Sequence, residues 1–400
     1  MKKYNIFRNI ALGALVVSSL SSCEDYLSLS NPNKTTVETF WTDLKDTKSG
    51  LYATYAALRN DYVLNIREEA WRSDLCWPGY GRPQPQNNAE GWNWYCQNYT
   101  NSTVAISSKW DALYISIWRA NQVIEALERI KDTVSGDEIE TWNIQMGHAR
   151  FIRGLMYFYL HSSFNNGSVV LRTSTAQSFN LPLSPAEDVL KFFREDLEVA
   201  YDLLPVPQDV TSDYEGLATK GTAATIQGIS YLYEKEYSEA EMKFKDVIDN
   251  YGYELEQDWT KMFTNAGEFN SESILEISYS LDYRQDITTW DMNCMYNRLA
   301  TLSTSLGGFL PAAWLVNEFL NDKPDNKDSR NTGRQVSLRA SAMVALVKDE
   351  VTPYYINGNA SEKCPMGGPL ADWGFGKFKR YTNHDIVTKE KPSMSGKNVV

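Results

Sequence analysis

The sequence predicts a mainly α-helical protein in which paired helices stack and support an irregular, loop-rich face. Three observations point there. Long stretches place apolar residues three or four apart, the period of a helix with one buried face. One stretch, Thr219 to Tyr251, breaks briefly at Glu236-Tyr237-Ser238 and resumes, as two antiparallel helices joined by a tight turn would. A third, Trp71 to Thr100, mixes Pro78, Gly79, Gly81, Pro83, Pro85 and Gly91 with aromatic residues and follows no period.

Taken in order, the chain opens with Lys2, Lys3 and Arg8, then an apolar run from Ile10 to Leu20. That run is shorter than the roughly 20 residues of a spanning helix and suits a secretory signal. Leu20-Ser21-Ser22-Cys23 follows and resembles a bacterial lipobox. Residues 1–22 are therefore read as a signal peptide, Cys23 as the lipidated first residue of the mature protein, and 23–35 as a tether. Several acyl chains at Cys23 imply a stable anchor, because one chain holds only marginally.

Residues 36–400 are read as one domain, with an N-terminal part to about 251 and a C-terminal part from about 252. Thr36 to Leu58 carries Phe40, Leu44, Leu51, Tyr55 and Leu58 on one stripe, and stronger helices follow over Ala105–Ile130 and Glu138–His161. Another runs from Pro185 to Leu204, with Ser184 as the expected cap and Pro205 and Pro207 as the stop. Within Thr219–Tyr251 the small residues Ala223, Ala224 and Ala240 fall where two helix faces meet, as in a tetratricopeptide-like hairpin, which needs neighbours to bury its face. Further on, Ser273–Ser280 suggests a short strand and Pro311–Leu320 a short helix. The end at Asn398-Val399-Val400 has no closing turn and reads as an interruption, with C-terminal residues missing.

Composition narrows the partners. Lys and Arg total 39 against 51 Asp and Glu, a net charge of −12, which disfavours nucleic acid and anionic head groups but not neutral ligands. Of five cysteines, four remain after lipidation. Cys76 with Cys96 is the favoured disulfide and Cys294 with Cys364 a weaker one. The separation of His148, His161 and His384 and the lack of a CxxC give no metal site, and no cofactor motif is present. Asp322, Asp325, Asn326 and Asp328 do not have EF-hand spacing and read as a solvated turn.

Five segments stand out in order: Cys23-Glu24-Asp25-Tyr26-Leu27 with Asn31-Pro32, Ala149 to Phe158, Asp196-Leu197 to Leu204-Pro205, Ala218 to Ala224 with Tyr231-Leu232-Tyr233, and Glu272 to Ile277. Together they resemble the SusD/RagB family of Bacteroidetes outer-membrane nutrient-binding lipoproteins. His148 stands where the family usually has glutamate, and the family continues beyond this chain's end. The resemblance implies a SusD-like fold with tetratricopeptide-like hairpins. It also implies a surface-exposed, lipid-anchored outer-membrane protein that captures glycans and delivers them to a SusC-like TonB-dependent transporter. Glu24-Asp25 resembles the family's surface-export signal.

Sugar rings present flat C–H patches within a rim of hydroxyls, so a site for them needs exposed aromatic faces beside amide, carboxylate or guanidinium groups. Residues 71–96 hold four of the 12 tryptophans, Trp71, Trp77, Trp92 and Trp94, with Tyr80, Arg82 and Asn93 among them. Trp77, Tyr80, Arg82, Trp92, Asn93 and Trp94 are the first candidate ligand contacts; Trp71 or Trp77 can equally be pins for a long loop. Tyr283 and Trp290 belong to a second candidate rim, for which helix packing is an equal reading. Trp110, Trp118 and Trp142 are expected in the core, and Arg150 and Arg153 are expected to pair with acidic neighbours across the stack. A non-carbohydrate nutrient remains an alternative ligand. A glycoside hydrolase is a weaker reading, since no carboxylate pair is distinguished and no GxSxG or HExxH occurs. A scaffold binding only proteins leaves the aromatic segment without a role.

Overall fold

The computed structural model describes residues 40–78, 89–257, 269–278 and 310–334, with residues 337, 339, 344–345, 377–378 and 398–399. The signal segment, Cys23, the tether and the Cys294–Cys364 pairing lie outside the described residues. The fold is mainly helical, as the periodicity predicts.

Of the helix expected over Thr36–Leu58, residues 36–39 lie outside the described residues; α1 (Leu44–Tyr55) is capped by Asp43, whose carboxylate accepts from the backbone N–H groups of Lys45 and Asp46 at 2.9 Å. Two short helices follow, α2 (Asp61–Leu64) and α3 (Ile66–Arg72), joined by Asn65 in the left-handed conformation at φ 56°. A two-residue strand β1 (Cys76–Trp77) and the short helix α4 (Ala89–Tyr95) come next. The main stack consists of α5 (Val104–Ile130), α6 (Glu138–Ser163) and α7 (Ala186–Leu203), continued by the hairpin α8 (Lys220–Tyr233) and α9 (Tyr237–Asn250). At the start of α7, Pro185 rather than Ser184 occupies the cap position, and its carbonyl accepts from Asp188 and Val189 N–H.

The core follows the apolar stripes. Leu113 and Ile117 of α5, Phe151, Ile152 and Met156 of α6, and Phe193 and Leu197 of α7 are buried in one cluster. Each such side chain contributes roughly 1.5–3 kcal/mol of burial. A second cluster joins Trp41 and Leu51 to Val123, Leu127, Met146 and Ala149. In the α8–α9 hairpin a Cβ on Gly228 would lie 2.6 Å from the Phe244 ring, so only glycine allows the two helices to approach this closely. Lys235 turns the chain between them at φ 63°. Thr219 opens α8 with a capping box to Thr222.

Charge is neutralised inside the stack. Arg153 grips the buried Asp196 carboxylate with two nitrogens, at 2.7 and 2.8 Å, and Asn121 with the third at 2.8 Å; Arg150 adds a contact to Asp196 at 2.9 Å. The sequence-based pairing of these arginines with an acidic neighbour is what the structure contains. His148 is fully buried on α6. Its Nδ1 lies 2.8 Å from the Tyr55 hydroxyl, which accepts from the Ala218 N–H at 3.2 Å and so has its own proton for the imidazole. Burial lowers the His148 pKa from 6.5 to about 3.

Among the described residues, three antiparallel two-stranded ladders accompany the helices. β1 pairs with β3 (Leu310–Pro311), Cys76 opposite Pro311; β2 (Ile277–Ser278) pairs with β6 (Asn398–Val399), and β4 (Val344–Ala345) with β5 (Lys377–Phe378). Of the strand expected over Ser273–Ser280, β2 is the part found among the described residues, and residues 279–280 lie outside them. α10 (Ala313–Asn321) follows β3, close to the helix expected over Pro311–Leu320. The Asp322–Asp328 stretch is a turn in which Asp325 and Asp328 carboxylates accept from backbone N–H groups two residues on. Among the described residues no helix is long and apolar enough to cross a membrane.

Candidate functional site: an aromatic platform on α3, β1 and α4

The segment from Trp71 to Thr100 is more ordered than its Pro and Gly content predicts. Trp71 closes α3 and Trp94 lies in α4, so neither sits in an aperiodic loop. Both are buried, packing with Cys76 and with Ala105 of α5, and Trp94 stacks on Tyr99 with centroids 4.3 Å apart at 26°. This corrects the expectation for Trp94. At 3% exposure it is a pin holding α4 to the fold, and its ring is not the exposed face that a ligand contact was expected to offer. The pinning role considered for Trp71 is the one it has.

The helical period of α4 explains the division. Trp92 and Tyr95 are three apart and share a face, whereas Trp94, two positions from Trp92, points to another side. On the first face Trp92 and Tyr95 stack at 5.8 Å and 19°. Trp77 of β1 meets them edge-on, 5.7 Å from Trp92 and 5.1 Å from Tyr95. All three rings are half-buried, and Asn93 beside them is exposed. The structure therefore brings Trp77, Trp92 and Asn93 to one region, with Tyr95 as an additional member outside the set of expected contacts.

Charged groups lie behind the platform on α3. Arg67 donates to Glu68 through Nε at 2.7 Å and through Nη2, and its Nη2 also reaches Glu90 of α4 at 3.1 Å. Its guanidinium lies 5.3 Å over the Trp71 ring. Burial pushes the Glu68 carboxyl above its ordinary pKa against the pull of Arg67. Burial likewise lowers the pKa of Lys109, whose ammonium is 3.8 Å from Glu69.

One residue was missed by the sequence reading. Trp314, in α10, is 46% exposed and donates its indole N–H to the Asp74 carbonyl at 2.8 Å, while Ala312 N–H donates to Leu75 O. The β1–β3 pairing thus brings a tryptophan from far along the chain to the approach of the strand that carries Trp77. No local sequence signal marks that pairing, although a tryptophan beginning a short helix was visible.

Other expectations divide as follows. Tyr80, Arg82, Tyr283 and Trp290 lie outside the described residues. No disulfide joins Cys76 to Cys96: the first thiol is packed inside with Trp71 and Trp94, and the second is exposed at the end of α4. Trp118 is 50% exposed, because α5 turns Leu113, Ile117, Ala120 and Ile124 inward and leaves position 118 outside that stripe. Trp142 is half-buried and donates to Leu127 O at 2.8 Å, and Trp110 is half-buried against Tyr114 and Phe164. A cavity of about 480 Å³ lies elsewhere, among Pro207, Val210, Leu217, Tyr253, Phe269 and Glu276, and shares no residue with the platform.

Residues 25–228 match the SusD-like family model described as "Starch-binding associating with outer membrane". SusD-like protein P38 of Formosa agariphila is 28% identical over 309 residues, which cover 72% of this chain and 56% of that protein. SusD-like protein P25 of the same organism is 21% identical, covering 81% of this chain and 61% of its own length, so the chain spans little more than half of these relatives. Among solved structures, a SusD superfamily protein from Bacteroides vulgatus superposes with TM-score 0.63 at 22% identity, over 86% of this chain and 69% of that one. A laminarin-binding SusD-like protein superposes with TM-score 0.66 at 19% identity, over 89% and 76%. At these identities the structural likeness is one of fold. Because the family model takes in half of the sequence, the leading edge of the stack included, the chain belongs to the SusD-like family.

Proposed function

We propose that this protein is a surface glycan-binding lipoprotein that holds an oligosaccharide or polysaccharide on the Trp77–Trp92–Tyr95 platform without changing it covalently and delivers it to a SusC-like TonB-dependent transporter. The observation that carries the reading is the gathering of three half-buried rings from two separate elements onto one face. Buried tryptophans are explained by packing, but a mutually supported aromatic surface that keeps part of each ring in water suits a ligand with apolar C–H faces. Exposed Asn93 supplies amide donors and an acceptor beside it, and Trp314 is a further exposed tryptophan, tied to Asp74 ahead of β1. The names of the laminarin-binding neighbour and of a surface glycan-binding protein from Bacteroides uniformis are in keeping with this reading. Cleavage before Cys23 and its acylation would hold the platform at the outer membrane, where tethering raises its effective concentration near a transporter.

The test is native affinity electrophoresis of the full-length protein in detergent through gels containing laminarin or soluble starch, with reducing sugar assayed in parallel. Retardation by one of them without sugar release is expected. Trp77→Ala and Trp92→Ala should each weaken it about ten-fold or more, the scale of a central aromatic contact. Full retardation in both variants would remove the platform as the site, and released sugar would make the protein an enzyme.

A further inference from the structure

Trp77 and the Trp92–Tyr95 pair stand on different pieces of backbone, β1 and α4, so something must fix one relative to the other. We infer that Arg67 is the positioning residue for the platform: its guanidinium ties α4 to α3 and thereby sets the angle at which Trp92 and Tyr95 meet Trp77. The inference rests on the platform being the binding face.

The geometry is specific. Glu90, which receives Arg67 at 3.1 Å, and buried Trp94 are four residues apart and therefore lie one turn apart on the same side of α4. Trp92 and Tyr95 lie on the opposite side. Two anchors on one helix face, one ionic and one apolar, fix both the position of a seven-residue helix and its rotation about its axis. Trp94 alone supplies an apolar contact, which is not directional. Arg67 supplies the direction, because a planar guanidinium can engage two carboxylates at once. Here those are Glu68, which is buried on α3, and the more exposed Glu90 on α4. The same guanidinium covers Trp71, the ring on which both Cys76 of β1 and Trp94 of α4 pack. Arg67 thus touches the shared support of both halves of the platform without belonging to it.

A ligand-independent signal reports the arrangement: two indoles 5.7 Å apart at 65° give an exciton couplet in far-ultraviolet circular dichroism. Trp92→Ala defines that couplet by removing it. Glu90→Gln, a surface change that leaves the Arg67–Glu68 pair intact, should preserve the thermal midpoint and diminish the couplet. It should also weaken retention on laminarin or starch gels about two- to five-fold, the range of an exposed pair. Arg67→Lys keeps the charge but loses the two-carboxylate geometry and should diminish both further, with no added loss in the double variant because both changes break one contact. A couplet of full amplitude in both single variants would overturn the positioning role. Unaltered retention in Trp92→Ala would instead overturn the binding reading, and the couplet would still decide the role of Arg67.

Discussion

Two tryptophans two residues apart are assigned opposite tasks, and that assignment can be tested by separating stability from binding. Trp94 is buried against Trp71, Cys76 and Ala105 and stacked on Tyr99. Its truncation to alanine costs about 3–5 kcal/mol by transfer and cavity formation. Its indole N–H is buried with no hydrogen-bond partner among the described residues, and removing an unpaired donor returns about 1–3 kcal/mol. The net expectation for Trp94→Ala is therefore a loss of about 2 kcal/mol, within a span of about 0–4, whereas Trp94→Phe keeps an apolar ring, sheds the unpaired donor and should stay within about 1 kcal/mol. Half-buried Trp92 has the reverse profile: Trp92→Phe and Trp92→Ala should change stability by about 1 kcal/mol or less and weaken glycan retention. Urea unfolding and affinity electrophoresis of the four variants supply both axes. If Trp94→Phe loses retention as Trp92→Ala does while its unfolding is unchanged, Trp94 touches the ligand and the division drawn from burial is wrong.

Three further outcomes are expected. His148 is neutral in the fold with a pKa of about 3 against 6.5 when unfolded, so its contribution is present above pH 6.5 and lost as pH falls towards 3; between pH 7.5 and 5 the loss is about 2 kcal/mol. Urea midpoints across that range should fall more steeply in the wild type than in His148→Gln, and parallel curves would exclude His148 as the cause. Asp196→Ala strands Arg153 inside the stack and should cost about 3–5 kcal/mol in unfolding free energy, with Asp196→Asn less severe because the amide oxygen still accepts. Cys23→Ser should release the protein from the membrane fraction and impair uptake while leaving glycan retention by the soluble form unchanged; loss of retention would contradict the separation of anchor from platform.

The helical stack was legible because its elements are long and their apolar residues recur at a fixed spacing: Leu113, Ile117, Ile124 and Leu127 mark the inner face of α5 in the sequence alone. The same method placed Trp118 in the core incorrectly, since one turn offers several positions near a stripe and only the neighbouring helix decides which is covered. α4 was not legible. Seven residues containing a glycine and preceded by prolines carry no helix signal of their own, and much of what holds them comes from elsewhere: Trp71 and Ala105 beneath, Arg67 at the side. Trp314 was hidden for a related reason, because a two-residue ladder between Cys76 and Pro311 has no pattern that a sequence window can detect.

The count of tryptophans in residues 71–96 therefore pointed to the segment that carries the proposed platform, for an incomplete reason. Aromatic density in that segment serves two purposes: Trp71 and Trp94 are consumed in making a floor, and Trp77, Trp92 and Tyr95 are raised on it. The first use makes the second effective. Rings that pack on one another lose side-chain freedom when the protein folds, so less ordering entropy is charged to binding. A flexible loop of equal composition would present the same residues and bind more weakly. The platform is also largely insensitive to the −12 net charge, because a neutral sugar is held by shape, C–H contact and hydrogen bonds. Salt then becomes a discriminating variable. Raising ionic strength should weaken the exposed Arg67–Glu90 pair and leave direct stacking intact, so a modest loss of retention in the wild type that disappears in Glu90→Gln would locate the electrostatic contribution in the support of the platform and not in its contact with glycan.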